Sequence, residues 1–131
     1  MFTMLLWFWG CADRDVEERP AVFQVGTASW YGDDFAGSQT ASGATYDPKA
    51  LTAAHRGLPF GTVLEVERLD APDGDDPVVQ VEVNDRGPYA DGRILDLSRQ
   101  AAAQLGMLRE GTAEVALRIV RCPDGEDGCA G

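Results

Sequence analysis

Asp85 and His55 are the residues of this chain best placed for chemistry. Asp85 stands in the run VEVNDRGP, where the alternating Val79, Val81 and Val83 give way to a Gly-Pro loop. A carboxyl at a strand end that opens on a cleft suits general acid–base work. The plainer role for such an aspartate is to hydrogen-bond its own turn or to pair with Arg86. His55 is the single histidine of the chain. A lone imidazole is more often packed or exposed than catalytic, so residue type alone assigns it nothing. Trp30 and Tyr31 offer flat apolar faces on which a sugar ring can stack, and equally suit a core. Asn84 and Arg86 flank Asp85 and can fix its geometry, or Arg86 can form a salt bridge with Asp96.

The cysteines fall at the two ends. Met1–Gly10 reads MFTMLLWFWG and is followed at once by Cys11. An apolar run of that length is too short for a membrane-spanning helix, which needs roughly 20 residues, but it suits the apolar stretch of an export signal. A small residue followed by Cys at its end resembles a lipoprotein cleavage site, which makes Cys11 the expected lipidation site and the membrane an expected partner through that anchor. A plain cleaved signal with an incidental Cys11 is the alternative. An exported chain meets an oxidising compartment, so Cys122 and Cys129 are expected to pair as a disulfide. With so few imidazole and thiol ligands, neither a metal nor a cofactor is expected.

The chain has 131 residues and a formal net charge of -11, with 44% hydrophobic residues, 15 Gly and 7 Pro. That length suits one domain with a single core, expected as a monomer. The acidity makes a polyanion a poor partner and argues against nucleic acid, but it does not disfavour a sugar polymer, which is bound by hydrogen bonds and stacking.

The elements that must position these residues follow from periodicity. Residues 23–32 suit a strand entering a turn, and residues 33–42 a polar, glycine-rich loop. A short helical turn is expected within residues 48–55. Residues 62–69 and 77–83 alternate as strands, joined by the turn DAPDGDD. A helix is expected over residues 99–105, capped by Asp96 or Ser98 and stopped by Gly106. Residues 113–121 form a last alternating strand. Periodicity supports a small β-barrel with one helix packed on it. The expected division is a leader and acidic tether over 1–22, a barrel over 23–121 and a tail over 122–131.

Three stretches, GTASWYGDDFAGSQTASG, LTAAHRGLPFGTVLEV and VEVNDRGPYADGRILDLSRQAAAQLGM, together resemble the rare lipoprotein A family. The resemblance runs from about residue 26 to about residue 120. It implies an all-β fold, a six-stranded double-psi β-barrel with one short helix, and an exported lipoprotein facing the periplasm or cell surface. It also implies lytic transglycosylase activity on peptidoglycan glycan strands, cutting the β-1,4 bond with formation of 1,6-anhydro ends. The family aspartate and histidine match Asp85 and His55, which gives Asp85 the role of acid and then base, and His55 that of orienting it or the sugar. A third family carboxylate, a glutamate, falls on Ala44. Hydrolysis needs two carboxylates, whereas attack by the sugar's own 6-hydroxyl needs one acid that also serves as base. The missing glutamate leaves a non-catalytic glycan-binding barrel as the first rival reading, and an inverting β-1,4-glucan hydrolase as the second.

Overall fold

In the computed structural model of the chain, residues 20–32, 35–123 and 129 are described. Their strands are β1 (Val22–Trp30), β2 (Thr52–Ala54), β3 (Val63–Arg68), β4 (Val78–Asp85), β5 (Arg93–Leu97) and β6 (Thr112–Arg121), with one helix, α1 (Arg99–Gln104). The strands close into a barrel in the order β1-β5-β2-β4-β3-β6. The pairs β1·β5 and β2·β4 run parallel, and the other four pairs run antiparallel. Closure leaves no free strand edge, so every wall strand finds hydrogen-bond partners on both sides. This is the double-psi β-barrel with one short helix that the sequence led us to expect.

Alternation explains the core. Val79, Val81 and Val83 of β4, Leu64 and Val66 of β3, and Val115 and Leu117 of β6 are buried inside the barrel. Each such side chain contributes about 1.5–3 kcal/mol by leaving water. On the opposite face of the wall, Arg118 of β6 pairs with Glu65 and Glu67 of β3. The hairpin expected across DAPDGDD is the β3–β4 pair.

α1 packs against β4 and β1. Of the two expected caps, Ser98 is the one used: its side chain accepts from the amide of Ala101 and donates to the carbonyl of Ala50. Gly106, at φ +70°, ends the helix as expected. Beneath it lies Arg68, only 3% exposed, donating to the carbonyls of Leu105 and Gly106.

Two segments differ from the sequence expectation. Residues 52–54 are a strand, not part of a helical turn, because β2 is wedged between β4 and β5 and finds ladder partners on both sides. Tertiary pairing overrides the helix preference of its alanines. Residues 93–97, which periodicity left unassigned, form β5. The expected leader and Cys11 lie outside the described residues. In the tail, Cys122 and Cys129 are joined by a disulfide with Cα atoms 5.9 Å apart. Cys129 is buried in the core cluster and Pro123 packs against Gly61, so the bond fastens the tail to the barrel.

Candidate active site

The site begins with an irregularity in one strand pair. Ala53 of β2 lies opposite Val83 of β4, but Ala54 lies opposite Asp85, which makes Asn84 the extra residue of a bulge. Strict alternation from Val79, Val81 and Val83 would turn Asp85 inward. The bulge instead turns it to the face that carries Ala54. On the other side of β2, Ala54 pairs with Asp96, and on β1 Ser29 pairs with Asp96. Ser29, Asp96, Ala54 and Asp85 therefore form one row across four strands. Neighbouring strands lie about 4.8 Å apart, so the two aspartate backbones are separated by roughly 9–10 Å.

The two aspartates of that row line an open cleft of about 540 Å³, whose walls include Tyr31, Phe35, Tyr46, Arg86 and Tyr89. Donors converge on Asp85. Its Oδ2 accepts from the Tyr31 hydroxyl at 2.8 Å, and its Oδ1 accepts from the amides of Ala41 (2.9 Å) and Arg86 (2.8 Å). That arrangement matches an acceptor-only carboxylate held in one orientation. The Tyr31 hydroxyl is pushed well above its ordinary value, first by burial and then by the hydrogen bond to Asp85 and its charge, so it stays a donor.

Asp96 sits in a different setting. Its Oδ1 accepts one hydrogen bond, from the Ser29 hydroxyl at 3.0 Å. Burial raises its pKa; the Ser29 bond and the Arg93 charge oppose that rise, and the Asp85 charge adds to it. Two carboxyl groups share one cleft, and Asp96 is biased toward holding a proton. The sequence reading treated Asp96 only as a helix cap or a partner for Arg86. The run ILDLS gave a usable signal, since a carboxylate between two core leucines must face away from the core.

His55 is not brought to the cleft wall beside Asp85. Its imidazole is 7% exposed and packs near Phe23, with ring centroids 6.2 Å apart. Nδ1 accepts from the amides of Gly57 (3.0 Å) and Leu58 (3.1 Å), which assigns the proton to Nε2, facing the Gln24 Oε1 at 2.9 Å. Burial, then the charges of Arg86 and Arg56, lower its pKa. His55 thus shapes the 55–58 turn as a neutral ring. Only its backbone meets Asp85, through its amide and the Asp85 carbonyl. Because the folded pKa lies below the ordinary value, the unfolded chain binds the proton more readily. The stability contributed by His55 is therefore present above about pH 6.5 and lost as pH falls through the folded pKa. We expect His55→Ala to cost roughly 1–3 kcal/mol at neutral pH by orphaning the turn amides, with a smaller cost in acid. Urea titrations at two pH values check this, and an equal cost at both would contradict it.

The other expected binding residues divide. Tyr31 lines the cleft. Trp30, one residue before it, turns to the opposite face of β1 and packs against the core, because alternation cannot put both on one side. Asn84 is the bulge residue, and its carbonyl accepts from Ser42. Arg86 borders the cleft, but its Nη1 donates to the carbonyls of His55 (3.2 Å) and Leu58 (2.7 Å), and its guanidinium lies 4.0 Å from the Phe60 ring centroid. It clamps the 55–60 segment rather than pairing with Asp96. Ala44 is exposed, in the turn whose Ala41 amide holds Asp85. Among the described residues no cluster of three or more metal-ligating side chains occurs.

The same barrel is found in solved structures. The Streptomyces papain inhibitor matches with a TM-score of 0.56 and 24% identity, over 78% of this chain and 99% of that one. The expansin of Clavibacter michiganensis matches with a TM-score of 0.53 and 24% identity, over 77% of this chain and 52% of that one. At those identities the likeness defines the fold alone. A family model described as lytic transglycolase matches residues 23–117, and the chain belongs to that family. Its relatives include the endolytic peptidoglycan transglycosylase RlpA of Campylobacter jejuni, 48% identical over 95 residues, covering 72% of this chain and 33% of that protein. The RlpA of Pseudomonas aeruginosa is 50% identical over 100 residues, covering 76% and 28%. The probable RlpA of Aquifex aeolicus is 46% identical over 112 residues, covering 86% and 47%. The chain thus spans less than half the length of each of these relatives.

Proposed function

We propose that this barrel is an endolytic peptidoglycan lytic transglycosylase. The observation that carries the proposal is that Asp96 and Asp85, aligned across β2 through Ala54, both line one open cleft, in which burial favours the protonated form of Asp96. Asp96 gives its proton to the oxygen of the β-1,4 bond as the bond to the anomeric carbon breaks. Asp85, fixed by its donors, faces the positive charge that develops on the sugar. The 6-hydroxyl of the same sugar then attacks the anomeric carbon and returns its proton to Asp96. No water is consumed, and a 1,6-anhydro end forms. Asp85, named from the sequence as the acid, becomes the electrostatic partner, while His55 supports the turn behind it.

Two carboxyl groups in one cleft also suit an inverting hydrolase, whose carboxyls stand ~6.5–9.5 Å apart. The products separate the readings. Mass spectrometry of digested sacculi should show anhydro-muramic ends from this protein. Reducing ends would favour the hydrolase, and bound but uncut strands the binding barrel suggested by Ala44. Peptidoglycan as substrate, action outside the cytoplasm and anchoring through a lipid on Cys11 belong to the same proposal. They are supported by the family, by the names of the relatives and by the apolar run that precedes Cys11.

A further inference from the structure

The cleft holds one large side chain that nothing above uses. Tyr89 is 73% exposed on the loop between β4 and β5, and it lines the same cleft as Asp85 and Asp96. An aromatic ring left this open normally folds back on its surroundings, since apolar area gains by leaving water. Here the loop is braced so that the ring stays out. Arg56 donates from Nε to the carbonyl of Pro88 and from Nη2 to the carbonyl of Ala90, which pins the backbone on both sides of Tyr89. Its guanidinium lies 5.9 Å from the ring centroid. Gly87 has φ +122°, a conformation that L side chains rarely adopt, and a Cβ built there would lie 3.6 Å from the Tyr89 ring. The ring therefore lies near a backbone kept bare by glycine. A second exposed aromatic, Phe35, lines the cleft and contacts Tyr31, with ring centroids 5.9 Å apart.

We propose that Tyr89, positioned by Arg56, is a stacking platform for a sugar ring of the glycan strand, with Phe35 as a second apolar surface in the same cleft. The proposal rests on the glycan-cleaving reading above. Its chemistry is that of a β-1,4 sugar: an apolar ring face for the aromatic, and hydroxyl edges for the carboxylates and Tyr31 below. A pre-oriented ring forfeits little entropy on binding, which gives the Arg56 brace its purpose.

The test uses the full chain and soluble glycan strands stripped of stem peptides. Rates of anhydro-end release across strand concentrations give KM and kcat, and calorimetry in an Asp96→Asn background gives binding without turnover. Tyr89→Ala should raise KM and weaken binding by roughly tenfold or more, the scale of losing one aromatic contact face, with kcat and melting temperature near those of the parent. Tyr89→Phe should keep affinity, because the ring and not the hydroxyl is the platform. Arg56→Met should weaken binding less than Tyr89→Ala, and should add nothing when combined with it. Unchanged KM and binding in Tyr89→Ala would overturn the platform while leaving the enzyme class standing. A parent chain that binds strands through Tyr89 but forms no anhydro ends would uphold the platform and sink the reaction. A parent chain that neither binds nor cuts the strands would sink both.

Discussion

Asp96→Asn is expected to abolish release of anhydro-ended fragments, a fall of roughly 10²–10⁴-fold, the usual worth of a general acid–base group. The substitution keeps the shape of the side chain and removes its proton. It should also stabilise the fold at neutral pH. Burial raises the Asp96 pKa in the native state, so the folded protein holds this proton more tightly than the unfolded chain does. Its contribution to stability is full below the ordinary carboxyl value near pH 4 and is lost as pH rises through the folded value. Asn escapes that loss, so the gain over the parent should be present at pH 7 and vanish at about pH 4. Activity should follow the same titration, declining as pH rises and the acid form is depleted. Asp85→Asn should also be impaired, while retaining the pH dependence set by Asp96. Full activity in Asp96→Asn, or a variant less stable than the parent at pH 7, would refute the assignment.

The second large effect concerns Arg68, which is not among the residues that line the cleft. This guanidinium is 3% exposed and joins several elements at one end of the barrel. It donates to the carbonyls of Leu105 (3.1 Å) and Gly106 (2.9 Å) at the end of α1, to Asp70 at 2.9 Å, and reaches Glu110 at 3.5 Å. Asp70 in turn accepts from the amide of Glu114 in β6, so β3, the end of α1 and the start of β6 share one polar knot. Arg68→Met fills much of the volume but leaves the helix-end carbonyls without donors. Unpaired buried polar groups cost about 1–3 kcal/mol each, so a loss of about 3 kcal/mol is expected. Arg68→Lys should recover little, because a single ammonium cannot reach the same set of acceptors. Asp70→Asn should cost well under that, since Asp70 is half-exposed and its ion pair is screened. Chemical denaturation of the three variants checks this order. A Lys variant as stable as the parent would show that charge alone, and not the fork geometry, holds the knot.

The amino-acid sequence carried the barrel walls well. β3, β4 and β6 announce themselves through period-2 alternation, because one face of each is buried and the other is wet. Ser98, Gly106 and the turn between β3 and β4 were equally legible, since capping and turn chemistry are local. β2 was not, because a strand of three residues has too little pattern to outweigh the helix preference of its alanines. β5 was missed although Leu95, Asp96 and Leu97 alternate, because so few residues carry too short a pattern.

By itself, the sequence determined the composition of the site, placing Asp85 in a strand-to-loop run and Tyr31 beside Trp30. Which side chains meet was decided only in three dimensions. The bulge at Asn84 turns Asp85 out of the barrel interior, and β2 aligns it with Asp96 through the shared neighbour Ala54. Burial then biases Asp96, whose own sequence context gave no hint of a proton carrier. The same packing withdrew His55 and Trp30 from the cleft and left Tyr89 standing over it. The reason is physical: alternation and capping are set by neighbours along the chain, whereas a bulge, a strand order and the desolvation of a carboxyl depend on segments tens of residues apart.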